Sequence, residues 1–211
     1  MTSKGFNVTV LDTTVAYKGF YELRRLTVEH DRFAGGSTGP LVREVLHRSD
    51  VAAALLHDPV TDQVVMIEQY RAGAHLAGVG SLLLDIVAGR IEAGQTPLAT
   101  ITREIAEESG LMLISIEPIG TYLTAPHLSD EQVHLYCATV DARQVAGYHG
   151  LAHEGEDIRP LVMARAEALA IPGKRPLSLW AALALGWLAG RGGALQTGRL
   201  ESAPFPQTGT P

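Results

Sequence analysis

The chain has 211 residues, 46% of them apolar, and a formal net charge of −6. That apolar share supports a packed core in one domain with a small accessory layer, and excludes a disordered chain. The acidic balance argues against a general nucleic-acid binder, because no basic patch is present to neutralise phosphates.

Residues 6–33 read as two or three strands with a turn near Lys18-Gly19, and 33–40 (FAGGSTGP) as a flexible loop or linker. A strand is expected at 41–46. Segments 51–56 and 63–68 flank the turn signal Asp58-Pro59 and predict a hairpin. The glycine-rich 71–80 reads as a loop, and 82–87 as an apolar strand that delivers the chain to Gly89. Thr96 followed by Pro97 opens a helix over 97–109, which Gly110 closes. Leu98, Ile101 and Ile105 form its expected core stripe. Strands follow at 114–124 and 132–140, with a loop at 125–131 between them. A polar, acidic loop at 147–157 leads to a strand at 159–164, a short helix at 166–170 and a helix at 177–188. The Gly-, Pro-, Ser- and Thr-rich tail from Gly190 is expected to be disordered. Strands and helices mixed without regular alternation predict an α/β (α+β) fold, a mixed sheet with helices on its faces.

The lone cysteine, Cys137, lies in an alternating run and reads as a buried strand residue. No disulfide is possible within one chain, which fits a reducing cytoplasm. The N-terminus lacks a signal-peptide core. The apolar run 177–189 has 13 residues, too short to span a bilayer, so no membrane partner is expected.

Between Gly89 and Leu111 the chain reads GRIEAGQTPLATITREIAEESGL. Glu104, Glu107 and Glu108 stand at relative positions 0, +3 and +4, neighbours on one helical surface. Like charges packed there repel one another and call for a cation. Mg2+ suits the site, since it is shared between a few carboxylates and substrate phosphates. A solvated acidic helix with an Arg103–Glu107 pair is the plain alternative for the glutamates alone. The glycine turn, the spacing and the closing Gly-Leu weigh against it.

This stretch resembles the Nudix box of diphosphate hydrolases: a glycine, five residues, a glutamate, seven residues, then Arg-Glu-apolar-x-Glu-Glu-x-Gly-apolar. Gly89 opens it, and Arg103, Glu104, Ile105, Glu107, Glu108, Gly110 and Leu111 fill it. Gln95 departs from the pattern where the family has a glutamate that braces the arginine; a glutamine can still accept a hydrogen bond from Arg103. Over residues 15–190 the chain resembles the ADP-ribose pyrophosphatase branch. Tyr17 to Tyr21, Ile67-Glu68-Gln69-Tyr70-Arg71, Leu84 to Gly89, and Gly150 to Ile158 carry that likeness, with Pro126 fifteen residues past Leu111. Asp85, where a glutamate is common, and His127-Leu128 after the proline depart from it.

The resemblance implies a Nudix fold: residues 1–48 as an N-terminal antiparallel layer, 49–190 as the hydrolase domain and 191–211 as a tail. It implies a homodimer that exchanges N-terminal strands. It implies Mg2+, with Mn2+ an alternative, held by Glu104, Glu108, the carbonyl of Ala88 and Glu156. Glu154 would be the general base, with Glu107 and Arg103 as supporting groups. Arg71 and Arg43 are candidate phosphate ligands, since a guanidinium suits that geometry; for Arg43 a surface ion pair with Glu44 or Asp50 is the equal alternative. Phe20 or Tyr21 would stack on the base or be plain strand aromatics. Asp85 would meet a ribose hydroxyl, and Pro126, Ser129 and Glu131 the sugar end. The activity so implied is hydrolysis of ADP-ribose to AMP and ribose 5-phosphate. The alternatives are another nucleoside diphosphate sugar, such as a GDP-sugar, and a non-catalytic ADP-ribose sensor, the latter disfavoured by the intact metal glutamates.

Overall fold

The computed structural model describes residues 5–191. The first three strands, β1 (Val8–Lys18), β2 (Glu22–His30) and β3 (Leu41–His47), form an antiparallel sheet in that order. Two register shifts, after Val10 and after Val15, interrupt the β1–β2 ladder. Every residue of β1 is exposed. The layer meets the rest of the chain near its strand ends, where Leu46 N–H donates to Leu128 C=O at 2.8 Å and His47 pairs with Asp130.

The remaining strands make one seven-stranded mixed sheet. They are β4 (Val51–Asp58), β5 (Gln63–Tyr70), β6 (Leu82–Asp85), β7 (Val87–Arg90), β8 (Ser115–Leu123), β9 (Gln132–Thr139) and β10 (Ile158–Ala164). The backbone order is β10-β5-β4-β9-β8, with β6 on β5 and β7 on β4. The expected hairpin of β4 and β5 is present but splayed: the two pair only from Leu56 to Asp58. Beyond that point β7 takes the first half of β4 and β6 the last half of β5. The strand expected over 82–87 is therefore two strands, broken at Ile86, whose N–H donates to Asp85 Oδ1 at 2.9 Å. β4 and β9 run parallel, Val51 opposite Val133.

Helix α2 (Pro97–Ser109) covers one face of the sheet. The short α3 (Arg165–Leu169) and α4 (Leu179–Gly190) cover the other. Successive residues of β4 alternate between the two cores: Ala52, Ala54 and Leu56 face Ile101 and Ile105, while Val51, Ala53 and Leu55 face Ala181 and Leu185. A strand covered on both faces needs no polar alternation, which explains the run VAAALL. The segment expected as a loop at 71–80 contains a short helix, α1 (Ala72–Leu76). Ile101 and Ile105 are buried as expected, but Leu98 is 49% exposed, because the first turn of α2 has no cover. No helix among the described residues is long and apolar enough to cross a membrane. The tail expected to be disordered lies, from residue 192 on, outside the described residues.

Candidate active site

Thr96 accepts a hydrogen bond from Ala99 N–H at 3.1 Å, Pro97 fills the first helical position, and Gly110 ends α2 with φ of 70°. The buried Ile101 and Ile105 fix the rotation of the helix. That rotation lays Glu104 and Glu108 along β7. Glu104 lies so close over Gly89 that a Cβ there would stand 1.8 Å from its Oε1. Gly89 serves this close approach and not a turn: with a Cβ there, Glu104 would have to move. Glu108 is 2% exposed and its Oε2 accepts from Ala88 N–H at 2.9 Å. An extended residue points its N–H and C=O to the same side of the strand. The Ala88 carbonyl thus faces the same edge as the carboxylate that its N–H holds.

Burial raises both acids. Glu104 is pushed up to about 7, chiefly by burial, with Arg103 opposing and Glu107 and Glu156 adding repulsion. Burial pushes Glu108 far above the carboxylate range; the Ala88 N–H and the charge of Arg71 oppose, while Glu104 and Glu156 repel. Two carboxylates that lose water and repel each other are a seat for a cation. Among the described residues no three acidic, histidine or cysteine side chains converge as a ready-made cage. Mg2+ does not require one, since it commonly keeps several waters and binds through one or two carboxylates plus phosphates. The donor set of Glu104, Glu108, the Ala88 carbonyl and Glu156 fits that chemistry.

Arg103 braces the pair from outside, donating to Glu104 Oε1 at 2.7 Å and to Glu107. Glu107 thus forms the helical ion pair weighed above. Gln95 does not reach this network: its Oε1 accepts from Thr100 Oγ1 at 3.0 Å and its Nε2 donates to Glu92.

The acidic loop is hitched to the helix. Gly150 N–H donates to the Glu107 carbonyl at 3.1 Å, and His149 and Ile158 exchange two backbone hydrogen bonds. The His149 ring lies where a Cβ at Gly110 would be, 2.4 Å from its Cε1. The loop is not extended: Ala152–Glu154 is a 3-10 turn closed by Gly155 at φ 73°. Glu156 is half-buried, accepts from Leu151 N–H and is close enough to act on both Glu104 and Glu108. Glu154 is exposed, with His153 Nε2 3.9 Å from its Oε1.

The expected substrate residues are scattered. Arg71 Nη2 stands 3.6 Å from Asp85 Oδ2. Asp85, expected at a ribose hydroxyl, is 1% exposed and already receives Ile86 N–H, Ser178 Oγ and Trp180 Nε1. Glu131, expected at the sugar end, is 4% exposed and pairs with Arg48 at 2.5 Å; its N–H donates to the buried Ser129. Pro126 lies in the exposed turn just before them. Phe20 and Tyr21 sit edge to face at the β1–β2 tip, under Arg90 and Arg48 respectively. Arg43 is exposed within the N-terminal layer, bonded to the Val42 carbonyl. Cys137 is buried in β9 as expected, its thiol pushed up to about 11 by burial. Sequence reading missed Ser178 and Trp180, although a serine before an apolar run is a helix-start signal.

Residues 46–181 match the NUDIX domain. The chain is 35% identical over 165 residues to an ADP-ribose pyrophosphatase of Haemophilus influenzae, covering 77% of this chain and 76% of the relative. It is 36% identical over 162 residues to an ADP-ribose pyrophosphatase of Escherichia coli K12, covering 77% and 78%. A GDP-mannose pyrophosphatase of Cronobacter sakazakii is 29% identical over 164 residues, covering 77% and 84%.

Proposed function

The chain belongs to the Nudix hydrolase family, in its ADP-ribose pyrophosphatase branch, and we propose that it hydrolyses the diphosphate of ADP-ribose to AMP and ribose 5-phosphate. The observation that carries this is the acid pair that α2 lays against β7: the buried Glu108 held by Ala88 N–H at 2.9 Å, with the half-buried Glu104 lying across Gly89. Glu104, Glu108, the Ala88 carbonyl and Glu156 would hold Mg2+, or Mn2+ in its place. A divalent ion there supplies charge neutralisation for the phosphates and acidifies a bound water.

The chain's own groups do the rest. Arg71 presents a guanidinium to the diphosphate. Arg103 keeps Glu104 in place. Glu154, exposed on its turn beside His153, takes the proton of the attacking water. Water adds to one phosphorus, the bridging oxygen leaves with the other phosphate, and the two monophosphates separate.

The N-terminal layer, residues 1–48 in this reading, serves as the dimerising unit and 49–190 as the catalytic one. Support comes from β1, where Val8, Val10, Leu11, Val15 and Tyr17 are all exposed. Exchange of these strands between two copies would bring Phe20, Tyr21 and Arg43 to a partner's site. The reading places the enzyme in the cytoplasm, with Cys137 reduced.

The test is nucleotide release from a panel of ADP-ribose, ADP-glucose and GDP-mannose, with Mg2+ and with chelator. Metal-dependent AMP release, fastest from ADP-ribose, is expected. A lead for GDP-mannose would move the assignment to GDP-sugars. Binding of ADP-ribose without turnover would make the protein a sensor.

A further inference from the structure

The oxygens of Asp85 have separate partners. Oδ1 accepts from Ile86 N–H at 2.9 Å, Trp180 Nε1 at 2.9 Å and Ser178 Oγ at 2.5 Å. Oδ2 is left to Arg71. Ser178 is also the N-cap of α4, accepting from Ala181 N–H at 3.1 Å, and Leu177 bridges to the backbone of Leu84. The first turn of α4 is thereby tied to the break between β6 and β7, immediately before the box glycine. Three donors on one oxygen fix the plane of a carboxylate, so the other oxygen becomes a stationary anchor.

Arg71 stands at the end of β5, as the cap of α1. Among the described residues its guanidinium makes no hydrogen bond, and its ion-pair partner is Asp85. Its charge reaches Glu108. The guanidinium donors not turned to Asp85 are therefore open to an anion. A free arginine side chain samples many rotamers, and an anchor restricts them.

We propose that Asp85, locked by Ser178 and Trp180, is a positioning residue that aims Arg71 at the diphosphate and couples the start of α4 to turnover. This role differs from that of a ribose ligand, since Asp85 is 1% exposed and its Oδ2 faces Arg71. It rests on Arg71 being a phosphate ligand, as proposed above.

Trp180→Phe keeps the ring and deletes the donor. Steady-state kinetics on ADP-ribose with Mg2+ are compared for the wild type, Trp180→Phe, Arg71→Ala and the double variant, each checked for fold by circular dichroism. The expected result is a roughly tenfold fall in kcat/KM for Trp180→Phe, mainly through KM, and no further fall when it is added to Arg71→Ala. Ser178→Ala carries the same cycle if the tryptophan variant does not fold. An equal Trp180→Phe effect in both backgrounds, or none in the wild type, overturns the positioning role. An Arg71→Ala variant with normal kcat/KM removes the phosphate ligand itself and the inference with it, a failure visible in that single variant.

Discussion

β1 and β4 each carry six apolar residues, and their surroundings are opposite. Every residue of β1 is exposed, including Val8, Val10, Leu11 and Val15. All of β4 is buried except His57, because α2 lies on one face and α4 on the other. Composition therefore sets what a strand is able to bury, and the layers set what it does bury. Against β7 the pattern inverts, since the box helix buries a carboxylate at Glu108 while valines of β1 meet solvent. Burying a charge costs several kcal/mol unless something compensates, and exposed aliphatic rows lack the gain that folding usually gives them. In the proposed reading a cation completes one region and a second copy covers the other.

The largest effect should come from neutralising the buried acid. Glu108→Gln should lower kcat by about a thousandfold, with the melting temperature of the metal-free protein no lower than that of the wild type. A near-normal rate would dismiss Glu108 as a metal ligand. A large loss of stability would show that the carboxylate is structural and not a functional charge held at a cost. Next is Gly89→Ala. Its methyl group would land 1.8 Å from Glu104 Oε1, so either the side chain or the strand must move. Turnover should fall about a hundredfold, with weaker Mg2+ binding by isothermal titration. Full activity would mean that Glu104 need not lie across β7.

The box was legible because its determinants are local. Thr96, Pro97 and Gly110 mark α2 to the residue, and Glu104, Glu107 and Glu108 follow from helical spacing. The partners of the acids across space were not. Asp85 meets Ser178 across 93 positions and Arg48 approaches Glu131 from a different strand end, so neither burial shows in sequence spacing. The break at Ile86 also escaped, because it arises from β6 and β7 pairing with different neighbours. The turn at Ala152–Glu154 hides in a polar run where alternation has nothing apolar to mark it. Local rules located the acid cluster, and tertiary contacts decided which polar groups remain exposed.

Acidity sharpens the comparison further. Folded Glu104 holds its proton up to about pH 7, against an ordinary value of 4.5. Between those values the native state binds a proton that the unfolded chain has released. Metal-free stability should therefore fall as pH rises through that window, by on the order of 3 kcal/mol, and Glu108, also raised by burial, extends the fall to higher pH. Asp58 acts elsewhere. Burial raises its pKa, but hydrogen bonds from Thr61, Val60 and Ala142 outweigh this and hold it low, so its contribution is lost only in stronger acid. If Mg2+ binds the ionised acids as proposed, its stabilising shift should be larger at pH 8 than at pH 5.5 by differential scanning fluorimetry. A metal-free protein more stable at pH 8 than at pH 5.5 would mean that Glu104 is not the strained acid.

The smallest effect concerns β1. Val8 and Val10 stand two residues apart with an unbroken register opposite His30 and Val28, so they share one face. Val8→Lys with Val10→Lys places two ammonium groups on that face. If this strand is covered by a second copy, light scattering should show a dimer for the wild type and a monomer for the variant. KM should rise by roughly tenfold or less, because Phe20 and Tyr21 belong to the same layer. The melting of the catalytic unit should change little, since no side chain of β1 enters either core. An unaltered dimer would place the interface elsewhere and leave β1 exposed. A monomeric wild type would mean that a sheet held by its backbone ladder and a few contacts at its strand ends persists without cover, and the contrast with β4 would then be one of stability alone.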